Sequence, residues 1–206
     1  MAGRTAVTRV LVHVALLLPL ALLVWDFTQN QLTANPIEAA TRRTGRTALV
    51  LLMLSLACAP AFRFVRFRPL QRLGRTLGLY AFAYACVHLA IFTGIDYGFD
   101  LGLIQEGVLE KRYALAGLSA FLILTALALT STNGWRMRLG RKWLWLHRAA
   151  YLAALVAVVH FFWGVKIDRT QPLQYGAVVL LLVLLRLPAI SRLWEAGVRR
   201  WRFGGR

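Results

Sequence analysis

The sequence predicts an all-α fold: an integral membrane bundle of six transmembrane helices with the N- and C-termini in the cytoplasm. Three observations predict it. The chain is 59% hydrophobic with a mean hydropathy of +0.59, whereas a soluble domain is about 45–50% apolar. The excess is gathered into six long runs, roughly 8–25, 46–62, 76–94, 113–131, 143–163 and 173–190, not into amphipathic stripes. The basic residues cluster in alternate segments between those runs.

About 20 apolar residues cross a hydrocarbon core of about 30 Å as a helix. Short runs of strand character are poor candidates, because an unpaired sheet edge in lipid leaves backbone groups unsatisfied. The first run, "TRVLVHVALLLPLALLVW", follows basic residues as a signal peptide would. It holds His13 and Pro19, and no small-x-small cleavage site precedes Trp25-Asp26, so it reads as a retained helix. The second and sixth runs are near the short end, and the sixth takes in Arg186, whose stem lets its charge snorkel to the interface. The longest outside loops, about 26–45 and 95–112, are too short to fold alone. Residues 1–206 therefore read as a single membrane domain, with no repeat or low-complexity tract. Cys58 and Cys86 fall within apolar runs and read as small packing residues, not as a disulfide.

The net charge of +17 would suggest nucleic acid in a soluble protein. Here it follows the positive-inside rule. With the N-terminus in the cytoplasm and six crossings, the outside segments hold only seven of the 25 basic residues: Arg42, Arg43, Arg46, Lys111, Arg112, Lys166 and Arg169. They also hold every acid except Glu195, so the outside balance is zero and the inside carries the whole excess.

All four histidines, His13, His88, His147 and His160, lie inside the runs. Ionisable residues in a membrane core usually face the bundle interior and mark function; the bland reading of any one is a neutral ring bonded to a neighbouring helix. Depth sorts them. His88 and His160 lie toward the outer ends of two runs that cross in the same direction. His13 and His147 lie toward the inner side. The 13 residues from His147 to His160 span about 20 Å and turn about 220° past whole turns, so these two neither share one metal nor, on an ideal helix, one face. Zinc wants a third or fourth ligand, and a proton relay wants a carboxylate; neither lies at that depth. Haem iron, which two axial imidazoles satisfy, fits best.

These residues sit in stretches that resemble a known family. "NPIEAATRRTGRTAL" (35–49), "LGLYAFAYACVHL" (77–89), "KRYALAG" (111–117), "LALTST" (127–132) and "LGRKWLWLHRAAYLAALVAVVHFFWGVK" (139–166) are similar to the MsrQ-type haem-binding membrane subunit of the periplasmic protein-methionine-sulfoxide reductase system, in the ferric-reductase-like transmembrane group. The resemblance runs from about residue 10 to 187. It implies haem b with iron held by His88 and His160. It implies that His147 serves a second haem or an electron-entry site, and His13 is at the depth to join it. It implies electrons taken on the cytoplasmic side from quinol or a flavin reductase, and given to a periplasmic molybdopterin subunit that reduces methionine sulfoxide. It also implies FMN, a bacterial inner-membrane location, and an electron-transfer subunit in place of the substrate-reducing one. The wider group often carries two histidines on each ligand helix, whereas here the third run has only His88. One basic position is also absent, where this chain reads Gly74-Arg75.

The chain has no G-x-G-x-x-G fingerprint, so its donor is separate. Arg75 and Arg148, at the inner ends of the third and fifth runs, suit topology control or contact with a propionate, quinone or flavin phosphate. Trp25, Trp143, Trp145 and Trp163 suit an interfacial belt. Asp96, Asp100, Glu106 and Glu110 make the 95–112 loop acidic, as a docking surface or a solvated loop would be. The rival functions are a stand-alone ferric reductase and a non-redox membrane protein with packing histidines.

Overall fold

The computed structural model describes residues 2–65, 67 and 69–187. The expectations placed on Arg66, Arg68, Glu195, the last arginines and the C-terminus lie outside the described residues. Among the described residues eight α-helices follow in order: α1 (Ala2–Thr28), α2 (Pro36–Val65), α3 (Pro69–Ala90), α4 (Leu101–Glu110), α5 (Arg112–Leu129), α6 (Asn133–Leu139), α7 (Arg141–Gly164) and α8 (Thr170–Arg186). A π-helical turn, Ile91–Asp96, extends α3. There is no strand among the described residues.

Among the described residues, five helical stretches are long and apolar enough to cross a membrane: Ala6–Thr28, Pro36–Arg63, Pro69–Asp96, Arg112–Leu129 and Arg141–Gly164. The sixth run forms α8, apolar but only 17 residues long, or about 26 Å of helix.

Pro19 interrupts the donor pattern of α1, because proline has no N–H. Beside it, Tyr84 of α3 enters the helix ladder. Leu20 N–H donates to the Tyr84 hydroxyl at 3.1 Å, and that hydroxyl donates to the Leu16 carbonyl at 2.8 Å. One turn away on α3, the Tyr80 hydroxyl meets His13 Nδ1 at 2.9 Å. Two tyrosines thus tie α1 to α3.

Helix α2 starts ten residues before the apolar run that predicts it. Pro36 suits a first helical position, where its missing N–H costs nothing, and Asn35 Oδ1 accepts the Glu38 N–H at 3.1 Å. Arg42, Arg43 and Arg46 therefore lie on a helix and not in a loop. Arg42 pairs with Glu38 at 2.6 Å, and Arg43 pairs with Asp26 at the end of α1. Hydropathy missed this segment because its polar turns carry the charges of a loop.

Helices α2 and α3 form a close hairpin through Gly74 and Gly78, a small-xxx-small pair. A Cβ at Gly74 would stand 3.1 Å from Cys58 Cβ, and one at Gly78 would stand 3.2 Å from Ser55 Oγ. Ser55 Oγ donates to the Gly74 carbonyl at 2.6 Å. Cys58 is buried in this seam, and neither it nor Cys86 forms a disulfide. Helices α5 and α7 form the second hairpin. The hairpins meet along α2–α7 and α3–α5, and α8 covers α7 and α2. Small residues fill the centre, with Ala81, Ala153 and Ala154 fully buried. Large ones such as Leu22, Leu122 and Leu180 point outward.

The 95–112 segment is folded. Asp100 caps α4 by accepting the Leu103 N–H at 3.1 Å. The Tyr97 ring packs on Phe92 at 4.7 Å, and its hydroxyl accepts from Lys111 Nζ at 2.9 Å. That bond holds the Lys111 pKa above the ordinary lysine value.

Gly78→Leu is expected to separate α2 from α3 and cost about 1–3 kcal/mol, as overpacking does; thermal unfolding in detergent checks this.

Candidate functional site

Helices α3 and α7 bring His88 and His160 together. Each lies 19 residues from the first residue of its helix, Pro69 and Arg141. Their ring centres are 6.0 Å apart and their planes are almost perpendicular, at 86°.

Each ring is anchored by a helix other than α3 and α7. His88 Nδ1 donates to the Thr41 carbonyl of α2 at 2.9 Å, and His160 Nδ1 donates to the Tyr113 carbonyl of α5 at 2.6 Å. A carbonyl oxygen only accepts, so Nδ1 carries the hydrogen in both rings. That fixes the tautomer and leaves Nε2 with the lone pair a metal needs. Each ring also lies against a glycine. A Cβ at Gly45 would stand 2.9 Å from His88 Nδ1, and one at Gly117 would stand 2.7 Å from His160 Nδ1.

The spacing fits one iron between two imidazoles. An imidazole nitrogen bonds a metal ion at about 2 Å and lies about 1 Å from its ring centre. Two rings across one ion therefore have centres about 6 Å apart. Among the described residues no cluster of three or more His, Cys, Asp or Glu side chains could hold a metal, so a pair with no third protein ligand suits the two axial positions of haem better than zinc.

The other predicted residues are elsewhere. His147 sits near the opposite end of α7. Its ring stacks on Trp143 at 3.9 Å, and its Nε2 is 3.4 Å from Thr130 Oγ1. The Trp143 indole N–H donates to the Thr130 carbonyl at 2.9 Å, so this tryptophan is a packing partner as well as an interfacial ring. Helix α7 runs unbroken between the two histidines; no bulge brings them onto one face, and each reaches a different end of α5. The structure does not join His13 to His147. His13 is bonded to Tyr80, and among the described residues no hydrogen bond or ring contact links the two histidines. Arg75 reaches Asn133 Oδ1 at 3.3 Å. Arg148 lies over the Trp145 ring, 4.2 Å from its centre. Both arginines are exposed near the His147 end.

A family model described as the ferric reductase like transmembrane component matches residues 44–158. That is more than half of the chain, and it includes His88 and His147. The chain is 42% identical over 178 residues to a Caulobacter vibrioides protein named protein-methionine-sulfoxide reductase heme-binding subunit MsrQ, covering 86% of this chain and 85% of that one. The chain belongs to the MsrQ family. Proteins of the same name from Rhodospirillum rubrum and Deinococcus radiodurans are 42% and 43% identical to it. They cover 92% and 86% of this chain, and 92% and 88% of their own lengths. No solved structure matches the chain.

Sequence reasoning found the facing pair by depth. It missed Thr41, Tyr113, Gly45 and Gly117, although all four lie in the stretches "TRRTG" and "YALAG". The signal was a glycine four residues after a position that contributes its main-chain carbonyl.

Proposed function

We propose that this chain is the membrane electron-transfer subunit of a methionine sulfoxide reductase system. It holds haem b between His88 and His160. It takes electrons from quinol or reduced flavin on the cytoplasmic side and passes them outward to a periplasmic molybdopterin reductase. In this reading α8 completes a six-helix crossing of the bacterial plasma membrane, with both termini cytoplasmic.

The observation that carries the proposal is the facing pair, two rings at one-iron spacing with both Nδ1–H groups already engaged. The relatives' names, which call each a heme-binding subunit, agree with it. Haem held there would supply one-electron transfer. The residues of the chain do the rest. His88 and His160 would hold the haem, and the Thr41 and Tyr113 carbonyls fix both rings as the Nδ1–H tautomer, with Nε2 free to bind iron. The packed apolar helices exclude water. His147, with Arg75 and Arg148 near it, offers a cationic entry side where an anionic donor or a propionate would be held. His13 is bonded to Tyr80, eight residues before His88 on α3.

His88→Ala and His160→Ala are each expected to lose the main haem, read as at least a tenfold fall in Soret absorbance per protein. His147→Ala keeps most of it. The opposite pattern, with haem lost on removing His147 and kept on removing His160, would overturn the assignment. Reduced protein mixed with the periplasmic sulfoxide reductase is expected to be reoxidised. Reoxidation by a ferric chelate alone would point to the stand-alone ferric reductase. Absence of a Soret band in haem-replete membranes would point to the non-redox class.

A further inference from the structure

The two histidine anchors repeat one another residue for residue. The Thr41 carbonyl and His88 are 47 positions apart, as are the Tyr113 carbonyl and His160. Gly45 and Gly117 stand four residues after those carbonyls. One shift of 72 positions carries Thr41 to Tyr113, Gly45 to Gly117 and His88 to His160. The same shift, with no gap, carries Ala48 to Ala120, Leu52 to Leu124 and Ala81 to Ala153, and all six of these are buried. The contacts between hairpins follow the same exchange, α2 meeting α7 as α5 meets α3. The two hairpins therefore correspond under one shift at the anchors and at these buried positions. They face each other across the histidine pair. Few identical residues mark the correspondence, because lipid-facing positions accept any large apolar side chain.

What the hairpins share is the support of each ring. In a helix the carbonyl of residue i accepts the N–H of residue i+4 and keeps a second lone pair. A ring that uses this lone pair must lie over residue i+4. A side chain there would occupy the space of the imidazole, and glycine leaves it open. The added Cβ would meet the ring at the bonded nitrogen itself, at 2.9 and 2.7 Å. That ring cannot swing aside without leaving its carbonyl.

We infer that Gly45 and Gly117 are a matched pair of positioning residues, each seating one haem ligand so that its Nδ1–H rests on the helix carbonyl one turn before. The inference rests on the haem reading given above. A ligand imidazole that donates Nδ1–H to a carbonyl is more basic, which favours the ferric state, and loss of such outer partners weakens metal binding about 10–100-fold.

The test uses the full chain with and without haem. In the haem-free wild-type protein, nitrogen NMR of labelled histidine is expected to show His88 and His160 both as the Nδ1–H tautomer. A neutral Nε2–H form at either residue overturns the inference, and this measurement needs no variant to fold and no haem to bind. In the haem-loaded protein, Gly45→Ala and Gly117→Ala are each expected to lower haem affinity about 10–100-fold. Each should also raise the midpoint potential and turn part of the low-spin ferric signal high-spin. Gly176→Ala, whose Cβ would meet Val158 of α7 at 3.3 Å, is expected to match wild type in all three. Wild-type affinity, potential and spin state in either histidine-side variant overturns the inference. Failure of the wild-type chain to bind haem overturns the functional reading first, and is distinguished from failure of the positioning by the tautomer result.

Discussion

A histidine ring among apolar helices must give its N–H to something, because hydrocarbon offers no acceptor and an unmet polar group there costs several kcal/mol. In this chain the requirement is met twice in the same way, by a helix carbonyl already engaged in the ladder of a neighbouring helix. The rest of the arrangement depends on that solution. The acceptor helices must lie beside the histidine helices, so the bundle is built as two hairpins. The rings must sit against backbone, so glycine faces them. The anchors engage Nδ1 of each ring, so Nε2 of each remains free.

The close packing that this demands is drawn from small residues. Between α2 and α3 it is Gly74, Gly78, Ser55 and Cys58. Alanines occupy the centre, where the hairpins meet. The correspondence is not uniform along the bundle. Moving inward from the histidine pair, the shift that matches His88 to His160 places Arg75 opposite His147. The two hairpins agree where the two imidazoles are anchored alike and differ at the end where two different neighbours, Asn133 and Trp143, are met.

Much of this was legible in the sequence, for identifiable reasons. Long apolar runs locate helices because length against bilayer thickness is a strong constraint. Depth along those runs placed His88 beside His160 without any coordinates. Helix ends were less legible: α2 begins among charged residues that pair with Glu38 and Asp26, and a hydropathy reading takes such turns for a loop. The folded cap of α4 depends on Asp100 and on Tyr97 packing, which carry no hydrophobic run. The partner of His13 was misjudged, because depth alone does not say which side of a helix faces which neighbour. The correspondence of the hairpins was invisible because its matches are scattered singly along four helices.

The acceptors of the two anchoring bonds are main-chain atoms. The genetic code specifies threonine at one and tyrosine at the other, and neither side chain supplies the contact. Substitution by alanine at Thr41 or Tyr113 leaves the oxygen where it was, although at Tyr113 it also removes a ring whose centre lies 6.0 Å from that of His160, so a scan of side chains passes over the hydrogen bonds that position the two imidazoles. The positions are constrained through the course of the helix instead. Proline one turn later would remove the N–H shared with that carbonyl and crowd the oxygen. What descends from one generation to the next at this site is therefore a path of backbone, with a gap kept open beside it, more than a set of functional groups.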